Sequence, residues 1–359
     1  MNIFLLINSM EGGGAERVVS LLANYYVNED YNVWVFTLDK GDDAYYLDKR
    51  IKRVDLGCYN YIGKCLKYRK FLRENNPKYN VSFLFRSNIV NVICCIKEKR
   101  KAILSERTNS NVRYRGILGW IKKNIMKLTY SNSDRVIAIS LGVKESLKNI
   151  GLDENKIEVI YNPVLSSGFS DSRVRSIDRK SIRLVTVGRL IESKNHKFII
   201  DVVEALINDM GLDVTLNIIG DGPLREEINK YINAKNLQYR VFMLGWRDDV
   251  YNELDKNDIF LFSSLYEGFG NVLVEAMSLG LPIVSFDCES GPREILTGVL
   301  KDSLVSVNDK KQFINKILNL INNEEYYKTM SKCSIERSKS FSISEIANRY
   351  LEVSNVEEH

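Results

Sequence analysis

Two hydrophobic rhythms alternate along the chain. Residues 2–8 form a short apolar run that ends in Ser9-Met10-Glu11-Gly12-Gly13-Gly14, and Val18, Leu21, Leu22 and Tyr25 then follow at helical spacing. That order reads as strand, glycine loop and helix. Apolar, β-branched runs recur at 31–38, 81–85, 102–105, 135–140 and 157–161, with helix-length segments between most of them. Such alternation predicts a parallel sheet wrapped on both faces.

The stretch 165–181 is rich in serine, charge and glycine and lacks apolar periodicity, so the domain boundary is expected there. A second series follows, with strands at 183–187, 214–219, 241–244, 259–263, 282–286 and 304–307. Its helices read at 195–210, 222–235, 270–279 and 309–322, and a last one at 342–354. The expected architecture is α/β: two Rossmann-like, doubly wound domains facing a cleft. Residues 1–165 form the first domain, joined by a C-terminal helix at about 342–356, and 166–341 form the second. A length of 359 residues suits two such cores.

Composition adds little until it is divided. Hydrophobic residues are 45% and charged residues 27%, close to an ordinary globular protein. The first 165 residues, however, hold 27 Lys and Arg against 17 Asp and Glu, whereas the remainder holds 24 against 29. The basic half should face something anionic, and nucleic acid, acidic lipid and diphosphate substrates all meet that demand. Cysteines 58, 65, 94, 95, 288 and 333 form no C-x-x-C pair, so reduced, mostly buried thiols are expected. No basic segment precedes an apolar stretch at the N-terminus, and no apolar run approaches the ~18 residues of a membrane span. A cytoplasmic protein is the expectation.

Three stretches carry candidate chemistry. Gly12-Gly13-Gly14 sits at a strand-to-helix turn where the backbone can approach a phosphate, although a tight turn alone would also use it. Arg189 and Lys194 lie five residues apart just past a strand, so both could reach one diphosphate, or both could be solvated loop cations. In Glu267-Gly268-Phe269-Gly270-Asn271-Val272-Leu273-Val274-Glu275, two carboxylates flank a glycine loop and the first turn of a helix. Carboxylates accept hydrogen bonds from vicinal hydroxyls, and two unrelated surface glutamates are the competing reading.

These residues, together with Ala15-Glu16-Arg17, Asn162-Pro163, Leu190 and Gly220-Asp221-Gly222-Pro223, make the chain resemble the retaining GT-B glycosyltransferases of family 4 over essentially its whole length. The type is that of bacterial surface and lipid-linked glycans. The resemblance implies a nucleotide sugar held mainly by the second domain and an acceptor on the first. Arg189 and Lys194 would clamp the donor diphosphate, with Gly13 or Gly14 approaching it from the first domain. Glu267 would contact the transferred sugar and Glu275 the ribose. The backbone of Phe269, Gly270, Asn271, Val272 and Leu273 would serve sugar and phosphate, and Trp246 and Arg247 would border the nucleobase. It implies no metal and no cofactor beyond the nucleotide-sugar co-substrate, and no Asp-x-Asp triplet occurs. A front-face mechanism, in which the departing diphosphate helps remove the acceptor proton, is also implied.

One departure stands out. Many relatives carry a histidine near the reacting sugar, but the corresponding segment here reads Ser105-Glu106-Arg107-Thr108-Asn109. Arginine cannot serve as a general base, so Glu106 becomes the candidate acceptor contact, with Arg107 a candidate for binding substrate or phosphate. His196 is expected to cap or pack rather than catalyse.

Residues 97–128 combine Lys97, Lys99, Arg100, Lys101, Arg113, Arg115, Lys122, Lys123 and Lys127 with Ile117, Leu118, Trp120, Ile121, Ile125, Met126 and Leu128. Ile117, Ile121, Ile125 and Leu128 align on one helical face, which suits an anionic membrane surface; a helix packed on its own sheet is the alternative. The expected enzyme therefore moves a hexose or N-acetylhexosamine, UDP-sugar favoured, to a glycan or polyprenyl-diphosphate-linked acceptor, as a peripheral protein at the inner face of the membrane. GDP-mannose is the rival donor. A UDP-sugar 2-epimerase of the same architecture is weakened by the shortage of histidines. A nicotinamide oxidoreductase would have only Asp39 for its ribose, and nucleic-acid binding lacks aromatic platforms.

Overall fold

The computed structural model describes residues 1–57, 60–110, 114, 116–164, 173–247 and 249–355. Cys58, Arg113, Arg115 and His359 lie outside them, as do the 165–172 part of the expected boundary and residue 356 of the expected last helix. The chain divides into two units, Met1–Ser167 with Phe341–His359, and Gly168–Ser340.

In the first unit, β1 (Asn2–Ile7), β2 (Asn32–Thr37), β3 (Lys52–Asp55), β4 (Tyr79–Phe83), β5 (Ile103–Glu106), β6 (Arg135–Ala138) and β7 (Ile157–Val159) form a parallel sheet in the order β3-β2-β1-β4-β5-β6-β7. Ile3 pairs with Val33 on one side and Tyr79 on the other. Strands buried on both faces need continuous apolar sequence, which is why the β1 run is so plain. β3 reads Lys-Arg-Val-Asp and was not foreseen. At the sheet edge it needs no apolar face: Lys52 lies over the Trp34 ring at 4.1 Å, and Arg53 donates to Thr37 Oγ1 at 2.7 Å.

The helix Ile343–Asn355 belongs to this first unit. Ile343, Ile346, Ala347, Tyr350 and Val353 join its core cluster. Tyr26 Oη donates to the Ala347 carbonyl at 2.9 Å, and the Tyr350 ring stacks on Phe83 at 6.3 Å.

In the second unit, β8 (Ile182–Val187), β9 (Val214–Ile219), β10 (Val241–Gly245), β11 (Ile259–Phe262), β12 (Ile283–Phe286) and β13 (Leu304–Val305) form a parallel sheet in the order β10-β9-β8-β11-β12-β13. The strand order reverses between β8 and β11, where Ile259 pairs with Leu184. Open parallel sheets bind ligands at such a reversal, beyond the carboxyl ends of the strands. A helix at Glu324–Ser338 escaped the periodicity reading because serines 331, 334 and 338 make up much of its buried side.

Candidate active site

The loops after β8 and β11 meet at this reversal. After β8 come Gly188, Arg189 and Leu190, then a single 3-10 turn Glu192–Lys194 and the helix His196–Asn208. Ser263, just past β11, donates its hydroxyl to the Lys194 carbonyl at 2.7 Å, and Leu265 N donates to Ser193 O at 2.8 Å. Those two bonds tie the loops together and place the Lys194 ammonium on the Glu267 carboxylate as an ion pair. The same ammonium lies 5.7 Å from the centre of the Phe262 ring. Arg189 is exposed, and its guanidinium has no partner among the described residues. One cation is thus already neutralised and one stands open to an anion.

Backbone geometry dictates how the Arg189 loop is held. Gly220, at φ 133°, packs so closely that a Cβ there would overlap the Gly188 carbonyl oxygen. At Gly222 an added Cβ would lie 2.6 Å from Leu190 O. Leu190 N donates to Asp221 O at 3.0 Å and Leu224 N to Leu190 O at 3.1 Å. The Gly220-Asp221-Gly222 stretch is therefore the floor under Arg189.

His196 completes that floor. It is only 3% exposed, with its Nε2 3.4 Å from the Arg189 carbonyl. Burial pushes its imidazole down to about 4, with the Lys194 charge adding to the effect. A neutral ring that packs and holds a backbone carbonyl cannot be the chain's acid or base near neutrality.

Beyond Glu267, Gly270 adopts φ 99° and caps the helix Asn271–Ser278, which carries Asn271, Val272, Leu273 and Glu275. Phe269 and Glu275 are buried, and Glu275 is not exposed as a surface glutamate would be. A second wall was not legible in the sequence. Tyr266 bridges to Glu289, and a Cβ on Gly291 would overlap the Phe269 carbonyl. Ser290, at φ 67°, has a buried hydroxyl without a hydrogen-bond partner among the described residues. A non-glycine residue held there marks local strain, which clusters at functional loops. Ser290-Gly291-Pro292 signalled only a turn. Trp246 and Arg247 follow β10 at the sheet edge, both exposed, two strands from β8.

In the first unit Gly12 and Gly13 take φ values of 125° and 151°, and Gly14 opens the helix Gly14–Asn28. The Glu16 carboxylate folds back against Gly13. Burial raises its proton affinity, opposed by the backbone N–H groups of Glu16 and Ala15 and by Arg107.

The structure buries both Glu106 and Arg107. Glu106 is 1% exposed: its Oε1 accepts from Arg107 N and Thr108 N at 3.0 Å each, and Oε2 accepts from Tyr130 Oη at 2.8 Å. Burial raises its pKa, and the bonds from Tyr130, Arg107 and Thr108 hold the carboxylate in place. Arg107 is also buried, donating to Asn162 Oδ1 at 2.6 Å, with its guanidinium 6.0 Å from the Phe83 ring. Burial lowers its pKa while Tyr350 and Glu16 oppose the shift. It joins the glycine-loop helix, Asn162 and the last helix. Asp39 is held by Arg86 through bonds of 2.8 and 3.0 Å and by Lys64 at 3.1 Å, which occupies the one carboxylate available to a nicotinamide ribose.

The basic helix forms as Gly116–Tyr130, with Gly119, Met126 and Tyr130 buried. Ile117, Leu118, Trp120, Ile121, Ile125 and Leu128 all point to solvent, so they are not packed on the sheet. Among the described residues no helix is long and apolar enough to cross a membrane. Cysteines 65, 94, 95, 288 and 333 are free thiols, of which 94, 95 and 288 are buried.

Comparison with known proteins agrees with this geometry. Residues 169–337 match the model of glycosyl transferases group 1, and residues 12–165 that of glycosyltransferase family 4. The chain is 27% identical, over 97% of each sequence, to the N-acetylgalactosamine-N,N'-diacetylbacillosaminyl-diphospho-undecaprenol 4-alpha-N-acetylgalactosaminyltransferase of Campylobacter jejuni. It is 29% identical, over 91% of each, to the lipopolysaccharide 1,6-galactosyltransferase of Salmonella typhimurium. In fold it is similar to the apo form of the lipopolysaccharide outer core galactosyltransferase WaaB, with a TM-score of 0.78 and 21% identity over 98% of this chain and 99% of that one. Anabaena HepE in complex with UDP gives 0.79 and 20% over the same shares. With two parallel-sheet units, a cationic and carboxylate site at the strand reversal of the second, and family matches along both, the chain belongs to the family 4 glycosyltransferases of GT-B fold.

Proposed function

We propose that the chain transfers a hexose or N-acetylhexosamine, with retention, from a UDP-sugar to a glycan carried on a polyprenyl diphosphate, in bacterial polysaccharide or O-antigen-type assembly. The observation that supports it most is the Lys194–Glu267 ion pair at the strand reversal, on a loop that also carries the exposed Arg189 guanidinium. A nucleoside diphosphate gains negative charge as the glycosidic bond breaks. Arg189 and Lys194 stabilise that charge more in the transition state than in the ground state, with no metal assigned a part. As Lys194 turns toward the diphosphate, Glu267 is released to accept from a hydroxyl of the transferred sugar. Glu275 serves the ribose, the 269–273 backbone the sugar and phosphate, and Trp246 and Arg247 the nucleobase. The departing diphosphate takes the acceptor proton.

The donor and acceptor classes rest on the relatives. Those from Campylobacter and Salmonella are named for an N-acetylgalactosamine transferred to a diphospho-undecaprenol glycan and for a galactose transferred to lipopolysaccharide. A lipid-linked acceptor also fits the exposed apolar and basic helix Gly116–Tyr130, which would hold the enzyme to the inner face of an anionic membrane.

The test is incubation of the purified protein with labelled UDP-glucose, UDP-galactose, their N-acetyl counterparts and GDP-mannose, in the presence of a polyprenyl-diphosphate-linked sugar. Transfer from one UDP-sugar with an α-linked product supports the reading. Transfer from GDP-mannose alone, a β-linked product, or conversion of the free UDP-sugar to its 2-epimer would overturn it.

A further inference from the structure

The first unit covers the two faces of its sheet differently. The connection from β1 to β2 runs one way along the sheet, and those leaving β3, β4 and β5 run the other way. Right-handed crossovers therefore put the helix Gly14–Asn28 on one face, where the last helix packs on it. The helices Tyr61–Asn75, Phe85–Glu98 and Gly116–Tyr130 lie on the opposite face, each packed on the next.

Each of those three helices turns apolar side chains outward. Ile62 is 72% exposed and Leu66 57% on the first, Ile93 45% and Ile96 53% on the second, and Trp120 65% on the third. Single exposed apolar residues are ordinary, but a run of them across three adjacent helices is not. The charges around them are one-sided. Glu98 is taken up by Arg69 at 2.6 Å and Arg73 at 3.6 Å, and Glu74 by Lys70 at 3.8 Å. The helix Gly116–Tyr130 contains no acid, while Lys97, Lys122 and Lys127 stand exposed.

We propose that these three helices form one docking face for an anionic lipid surface, with Ile62, Leu66, Ile93 and Ile96 entering the headgroup region beside the helix Gly116–Tyr130. This rests on the membrane reading given under the proposed function and extends it to two helices outside the basic segment. Charge complementarity selects the partner: lysines whose acidic neighbours are already paired favour acidic headgroups, while the isoleucines supply apolar area.

The experiment is co-sedimentation of the full chain with phosphatidylglycerol–phosphatidylcholine vesicles and with pure phosphatidylcholine vesicles. Three variants are compared: Ile62→Asp with Leu66→Asp, Ile93→Asp with Ile96→Asp, and Ile121→Asp with Ile125→Asp. Serine replacements stand in for any aspartate variant whose thermal unfolding departs from the parent. Each pair should weaken binding to the acidic vesicles by about tenfold or more, with transfer to a water-soluble acceptor unchanged. Loss in the third variant alone would overturn the three-helix face and leave the single-helix reading standing. Equal binding by the parent and all three variants would sink both. Equal binding of the parent to both vesicle types, or a dimer in solution that the first two variants dissolve, would overturn the choice of partner.

Discussion

The Lys194 ammonium and the Glu267 carboxylate form an ion pair across the two loops that meet where the strand order of the second unit reverses. Arg189 lies on the same loop as Lys194, without a partner among the described residues. In the proposed reaction both cations act on the leaving diphosphate. Replacing Arg189 or Lys194 by alanine should lower the transfer rate well over tenfold, since one lost charge-assisted contact in a transition state is worth on the order of 2 to 4 kcal/mol. Steady-state kinetics decide it, and normal turnover in both variants would remove the diphosphate assignment. Because Lys194 and Glu267 are partners, their double alanine variant should be less impaired than the two single losses multiplied together.

Glu275 tests a different part of the donor. It is buried on the helix Asn271–Ser278, so Glu275→Gln, which keeps its shape, is the better probe than alanine. If the carboxylate accepts from the ribose hydroxyls, the donor KM should rise while kcat changes little. An unchanged KM would take Glu275 out of that role.

The floor under Arg189 makes a stability prediction. Gly220→Ala would place a methyl group on the Gly188 carbonyl oxygen at a backbone φ of 133°. The expected loss is about 1–3 kcal/mol or more, read as a fall in the urea midpoint. A variant as stable as the parent would show that the loop does not depend on this contact.

His196 gives a pH dependence with a fixed sign. Its folded value is depressed to about 4, below the ordinary 6.5, so the unfolded chain binds the proton more readily. The stability linked to His196 is complete above 6.5 and is lost as pH falls through that window toward 4, by about 3 kcal/mol at most. In urea titrations His196→Gln should therefore lose less stability than the parent between pH 7 and pH 5. The two curves falling in parallel would contradict the burial account.

Cys65 and Cys94 face each other from neighbouring helices. Cys94 Sγ donates to the Cys65 carbonyl at 3.7 Å, and the interaction between the two side chains lowers the pKa of Cys65 and, together with burial, raises that of Cys94. Near neutral pH Cys65 should be alkylated faster than Cys333, the other partly exposed free thiol among the described residues, as peptide mass mapping would show. Faster labelling of Cys333 would refute the pairing.

The placement of the second unit's candidate residues was legible because they follow strands directly. Arg189 and Lys194 come just after β8, and Glu267 and Gly270 just after β11, so an apolar run followed by a glycine and a charge was sufficient signal. The surroundings of Glu106 and Arg107 were not legible because they depend on Tyr130 and Asn162, 24 and 55 residues further along. Local sequence carries no trace of those partners. The strand Lys52–Asp55 was invisible because an edge position spares it an apolar face, and Ser290 because backbone strain leaves no compositional mark.

The most direct test of the central claim is a thermal-shift titration with UDP, GDP, ADP and NAD at matched concentrations, run on the parent chain and on Arg189→Ala. A ligand that binds only the folded state must raise its melting temperature. The account predicts stabilisation by UDP above the other three and a weaker response to UDP in Arg189→Ala. Stabilisation by NAD alone, or a UDP response that Arg189→Ala leaves intact, would contradict it.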